Sequence, residues 1–273
     1  MRKTFTDVLL KVEKLKVVYH NVSTAVEGVS LEVRENEIVA LLGINGAGKT
    51  TTLRAISGFL PSDNARIVEG LIEFQNEQIQ NKLPHEITRK GVVLVPERDK
   101  IFETLTVEEH LKMCIASAGN TKKERAAWYD LIFRYFPLLG NVKNRLAGYL
   151  SGGERQMLAL STALLCKPKL LLVDELSLGL APIIVDELLQ LLKIIRDERN
   201  ITILLVEQNA SAALQIADYG YVMENGRVVF AGDPEQLKKH KDIQEFYLGQ
   251  GETGSRKSYR EIKQYRRSRR WYG

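Results

Sequence analysis

At 273 residues and 44% hydrophobic, the chain is long enough for one sizeable core with a smaller subdomain attached. No uninterrupted apolar run reaches ~18 residues, which excludes a membrane-spanning helix, and the opening MRKTFTDVLLKVEK does not read as a signal peptide. The net charge of +5 sits in the tail: residues 251–273 hold eight Lys or Arg against two Glu, leaving residues 1–250 at −1 with no need of a polyanionic partner.

In chain order, Val29, Leu31 and Val33 alternate with Ser30 and Glu32, the pattern of a half-exposed antiparallel strand. Four β-branched or leucine-rich runs then read as buried parallel strands: 38–42, 92–95, 170–173 and 201–206. Each runs directly into polar or glycine-rich residues, namely Gly43, Pro96-Glu97, Asp174-Glu175 and Glu207-Gln208. Open α/β sheets bind ligands at the carboxyl ends of their strands, so a site is expected along that edge. Between about residues 106 and 148 the pattern is helical. Thr106 with Glu109 forms a capping box, and Trp128, Leu131, Ile132, Tyr135 and Phe136 recur on one face as subdomain core. Cys114 and Cys166 lack companions at ligand spacing and read as core thiols, with neither zinc nor a disulfide. Asn225-Gly226 between two apolar runs signals a hairpin.

The residues from Gly43 to Thr50, GINGAGKT, fit the phosphate-loop spacing. Glycines there let backbone N–H groups form a concave nest for phosphate oxygens, and the following helix offers its positive end to the same charge. Lys49 is expected at the β- and γ-phosphates and the Thr50 hydroxyl at Mg²⁺, with Gly43, Asn45, Gly46, Ala47, Gly48 and Thr51 completing the cradle. Asp174 and Glu175 close an apolar strand, where unpaired carboxylates are costly. Asp174 is therefore expected to hold Mg²⁺ and Glu175 to take a proton from attacking water. A second anion-binding helix start follows Leu150, where Ser151, Gly152 and Gly153 precede Glu154-Arg155-Gln156.

LSGGERQ resembles the signature sequence of ABC ATPases, and the resemblance covers roughly residues 8–250, with a helical subdomain at about 106–160 and a basic tail at 251–273. It implies a P-loop α/β fold: a mostly parallel sheet, an antiparallel β subdomain and a helical subdomain. It also implies ATP and Mg²⁺ as ligands, and a head-to-tail dimer, of two copies or with a sister ATPase, in which Ser151 to Gly153 meet the γ-phosphate held by the partner. Two transmembrane permease subunits and, indirectly, a substrate-binding protein follow as partners at the cytoplasmic face of a prokaryotic membrane. By the same resemblance Tyr19 stacks on adenine, although a buried strand tyrosine is the alternative, and SLGLAP (177–182) touches the other subunit. Val95-Pro96-Glu97-Arg98, Leu205 to Ala210 and Glu224-Asn225-Gly226 narrow it to LivF-type ATPases of branched-chain amino-acid importers, or a relative handling other amino acids, amides or urea.

This chain carries Glu97 where ABC ATPases generally have Gln, and Gln208 where they have His, as LivF-type relatives do. Gln208 can donate to a γ-phosphate but carries no charge; Glu97 places another carboxylate near the metal. Leu176 and Ile44 replace prolines without loss of a chemical group. A nucleic-acid-associated ABC ATPase is a second class, but the chain has neither long coiled coils nor a second ATPase module; an ATP-binding switch with little turnover is a third. The tail reads as a solvated end, as a contact for anionic lipid, as a nucleic-acid contact or as a short packed helix.

Overall fold

The computed structural model describes residues 7–97, 101–117, 122–240 and 243–244; Arg98 and the basic tail lie outside them. Alternating side chains draw β1 (Val8–Tyr19) and β2 (Ser23–Arg34) into an antiparallel hairpin. Val29, Leu31 and Val33 point inward and Ser30 outward, as expected. All five residues of β3 (Ile38–Leu42) are buried, and its pleat divides them. Ile38, Ala40 and Leu42 enter one hydrophobic cluster, Val39 and Leu41 the other. A strand covered on both faces needs such an unbroken apolar run.

The chain next forms α1 (Lys49–Ser57), ended by Gly58 in the left-handed region at φ +80°, then β4 (Ala65–Phe74) and β5 (Glu77–Gln78). These complete a four-stranded antiparallel sheet of order β2-β1-β4-β5. After α2 (Pro84–Lys90) and β6 (Val92–Val95) comes the helical portion: α3 (Val107–Ser117), α4 (Lys122–Tyr135), α5 (Pro137–Asn141) and α6 (Gly152–Leu165). The expected box forms at α3: the Thr106 amide donates to Glu109 Oε2 at 2.7 Å, and the Glu109 amide to Thr106 Oγ1 at 3.2 Å. Ile132, Tyr135 and Phe136 are buried, with Trp128 and Leu131 partly so. The Trp128 ring lies against the Arg199 guanidinium at 4.8 Å from its centroid.

The remaining elements are β7 (Leu170–Asp174), α7 (Pro182–Arg199), β8 (Thr202–Glu207), α8 (Ala210–Ile216), β9 (Tyr219–Glu224), β10 (Arg227–Gly232) and α9 (Pro234–Lys239). The larger sheet runs β10-β9-β3-β8-β7-β6. The antiparallel sheet and α1 cover one face, while α6, α7 and α8 cover the other. Among the described residues no helix is long and apolar enough to cross a membrane.

Three features differ from expectation. β9 pairs parallel with β3, a fifth parallel strand where four were expected, so the hairpin belongs to the central sheet. The long strands β1 and β4 were not foreseen. Neither cysteine is fully buried: Cys114 is half-buried against the core, and Cys166 is exposed where it ends α6.

Candidate functional site: a phosphate cradle at the end of β3

Backbone conformation makes the cradle. Gly46 and Gly48 take φ of +81° and +98°, and a Cβ on Gly48 would stand 2.7 Å from the Ala25 carbonyl oxygen. Gly43 is needed for close approach, since a Cβ there would meet the Met223 carbonyl oxygen at 2.6 Å. The loop is fastened from behind by the β9–β10 turn: the Gly226 amide donates to the Ala47 carbonyl at 3.0 Å, and the Glu27 amide to the Gly226 carbonyl at 2.7 Å. Asn225 and Gly226 have φ of +50° and +76°, the left-handed pair of a tight hairpin.

The loop opens on a cavity of about 460 Å³, lined by Ala25, Asn45, Gly46, Ala47, Gly48, Lys49, Thr50, Thr51, Glu97, Glu175 and Leu178. Lys49 is buried with its three donors engaged. Its Nζ donates to the Gly43 and Ile44 carbonyls at 2.8 and 3.2 Å and pairs with Glu175 Oε1 at 2.9 Å. Thr50 Oγ1 donates to Asp174 Oδ1 at 3.1 Å, binding the loop to the β7 end. Burial pushes the Asp174 carboxyl up to about 6, and the negative charges of Glu175 and Glu97 add to the effect. Ionisation of Asp174 is thus less favourable than in water, a deficit that a bound cation would offset.

Glu175 stands in the left-handed region at φ +50°, a conformation that costs a side-chain-bearing residue about 1 kcal/mol or more. Neighbours on β8 hold it: its amide donates to the Val206 carbonyl at 3.0 Å, and its Oε2 accepts from the Gln208 amide at 3.3 Å. Tyr19 does not itself line the cavity; its hydroxyl stands 3.2 Å from Oγ1 of Thr51, which does.

Ser151, Gly152 and Gly153 do not line the cavity. They start α6, where Cβ atoms on the two glycines would meet Leu180 and Ile184 at 3.1 Å. The expected freely presented N-terminus is instead partly capped. The Ser151 amide donates to Glu154 Oε2 at 2.7 Å, and the Glu154 amide to Ser151 Oγ at 3.3 Å. Within one chain this terminus and the cradle are therefore separate surfaces.

Sequence reasoning missed Ala25 and Leu178 as cavity walls, and noted Glu207 only as a polar strand end, with no role. Glu207 is fully buried at the β8 end. Its Oε1 accepts from the Ser177 amide at 2.9 Å and its Oε2 from Ser177 Oγ at 2.5 Å. Burial pushes its carboxyl up to about 7. A carboxylate ending an apolar strand had already marked Asp174 and Glu175, and the same signal was present at Glu207.

A glycine nest at a central strand end, a buried lysine, and carboxylates delivered by the ends of β7 and β8 define a P-loop nucleotide-hydrolysing fold. The family described as ABC transporter matches residues 26–177. The high-affinity branched-chain amino acid transport ATP-binding protein BraG of Pseudomonas aeruginosa is 39% identical, over 88% of this chain and 100% of its own. The probable branched-chain amino acid transport ATP-binding protein LivF of Archaeoglobus fulgidus is 38% identical, over 88% and 99%. The crystal structure of the ADP conformation of an ATP-binding cassette of an ABC transporter superposes with a TM-score of 0.75 at 26% identity, covering 89% of this chain and 100% of that one. The chain belongs to the ABC transporter family, as an ATPase subunit.

Proposed function

We propose that this subunit hydrolyses ATP at the cavity above β3 with Glu175 as general base, and that it powers uptake of branched-chain or other hydrophobic amino acids. The observation that carries the chemistry is the convergence of Lys49, Thr50 and Glu175 on one glycine-walled cavity, with Asp174 bonded to Thr50 beside it. The assignment of cargo rests on the named relatives, and amides or urea are the nearest alternatives; those relatives favour import over action on nucleic acid.

The loop amides and Lys49 bind the β- and γ-phosphates, with Lys49 exchanging Glu175 for phosphate oxygen. The donor set suits Mg²⁺: among the described residues no three His, Cys, Asp or Glu cluster as a metal cage, and Mg²⁺ takes one or two carboxylates plus substrate phosphates. Thr50 and Asp174 would hold it, with Glu97 at the same edge, and it would neutralise charge on the phosphates. Glu175, freed from Lys49, accepts the proton of the attacking water. Gln208 donates to the γ-phosphate, and Tyr19 stacks on adenine. Ser151, Gly152 and Gly153 of a second subunit close over the same phosphate, which explains why one chain keeps the two surfaces apart. That subunit is a second copy or a sister ATPase, and the pair drives two permease subunits from the cytoplasmic face.

Sedimentation of a Glu175→Gln variant in saturating Mg-ATP tests the reading. Pairing of subunits, alone or beside the sister ATPase, is expected; persistent monomers in both mixtures refute it. Reconstitution with the adjacent permeases, assayed with labelled leucine against urea, decides the cargo.

A further inference from the structure

Three successive residues at one strand end grip Glu175 and Ser177 beyond another. Val206 accepts the Glu175 amide through its carbonyl, the Glu207 carboxylate accepts both Ser177 donors, and Gln208 donates its amide to the Glu175 carboxylate. Between them the chain makes the left-handed turn at Glu175. Such a turn persists only when its surroundings over-determine it. The register supports the grip, because Asp174 stands opposite Val206 in the parallel pair β7–β8. Beyond Ser177, Leu178 forms part of the cavity wall and Gly179 turns at φ +74° with nothing within 4 Å of a Cβ. Within the turn the Leu178 amide donates to the Glu175 carbonyl at 3.4 Å and the Leu180 amide to the Ser177 carbonyl at 3.2 Å, and Ser177 ties this segment to the β8 end.

We propose that Glu207 is a positioning residue for ATP hydrolysis: by gripping Ser177 it holds the Glu175 turn, and so sets the carboxylate against the phosphate cradle. Glu207 touches neither the cavity nor substrate. Its effect is on geometry at the base, where a displacement of about 1 Å costs roughly 100-fold in rate. The inference rests on Glu175 being the base.

The test uses the full chain and steady-state ATP hydrolysis, with nucleotide affinity and thermal unfolding measured in parallel. Glu207→Ala is expected to lower kcat by roughly 10- to 100-fold, with affinity for Mg-ATP within about threefold. Ser177→Ala, which leaves the buried acid in place, lowers kcat in the same direction, and the double variant is no slower than Glu207→Ala. Glu207→Gln keeps both bonds, its amide oxygen accepting the Ser177 amide and its NH₂ donating to Oγ, and retains most of the rate. A purely structural role would lower the unfolding temperature but leave kcat unchanged in the folded Ser177→Ala and Glu207→Ala proteins; that result overturns the proposal. So does a loss of affinity at constant kcat. Should Glu207→Ala not fold, Ser177→Ala and Glu207→Gln decide. Wild type and Glu175→Gln run alongside: if their rates are equal, the base assignment itself has failed, and if only Glu175→Gln is inactive, the clamp alone is on trial.

Discussion

Lys49 Nζ stands 2.9 Å from Glu175 Oε1, with both side chains almost wholly withdrawn from water. The cation expected at phosphate and the carboxylate expected at water are thus each other's partner. Removing one leaves the other a buried, uncompensated charge. Lys49→Met is expected to lower unfolding free energy by about 3 kcal/mol, besides abolishing nucleotide binding. Chemical denaturation without nucleotide measures the first effect and ATP titration the second.

Glu175→Gln keeps shape and hydrogen-bonding reach but cannot accept the proton. Turnover should fall by roughly 100-fold or more while ATP binding persists. Single-turnover hydrolysis beside equilibrium binding checks this, and undiminished hydrolysis would refute the role.

Asp174 holds a proton up to about pH 6 because of burial and neighbouring negative charge. A cation at Thr50 and Asp174 reverses that preference, so Mg-ATP binding near pH 6 should release a proton. Affinity for Mg-ATP should accordingly rise between pH 5 and 7. Calorimetry in buffers of different ionisation enthalpy measures the release, and Asp174→Asn should abolish it. Chelating the metal should stop hydrolysis in the parent protein.

Glu207 binds its proton more tightly in the folded chain, to about pH 7, than its ordinary value of 4.5. A raised acid stabilises the fold below pH 4.5, and this contribution is lost as pH rises through 7. The loss is on the order of 1–3 kcal/mol. Guanidinium unfolding at pH 5 and 7.5 should therefore show a smaller decline for Glu207→Gln than for the parent.

Gly48→Ala forces a Cβ to within 2.7 Å of the Ala25 carbonyl oxygen at φ +98°. The loop must shift, so ATP affinity should fall at least about tenfold and stability by about 1–3 kcal/mol. Equilibrium binding and thermal unfolding check both.

The central strands were legible because burial on both faces demands long apolar runs such as 38–42 and 170–173. The cradle was legible because a backbone nest requires glycines at fixed spacing. β1 and β4 were not, since the charged residues of VLLKVEKLKVVY and Gly70 within ARIVEGLIEF blur the two-residue period. That period holds only once the strands pair, with bulges, across 50 or so residues. Likewise the parallel β3–β9 pair joins segments whose contact no local pattern records. At the site, residue types announced Lys49 and Glu175, whereas the Lys49–Glu175 pair and the Ser177–Glu207 grip are facts of three-dimensional register.

The bond from the Gly226 amide to Ala47 gives the phosphate loop a support encoded some 180 residues downstream. During synthesis from the N-terminus, the GINGAGKT segment emerges long before the hairpin that braces it, and β9, its neighbour strand's partner, arrives equally late. The nucleotide cradle is consequently completed only after the β9–β10 hairpin has been synthesised. A nascent chain halted before residue 219 would carry every residue of the loop without a rigid seat for ATP.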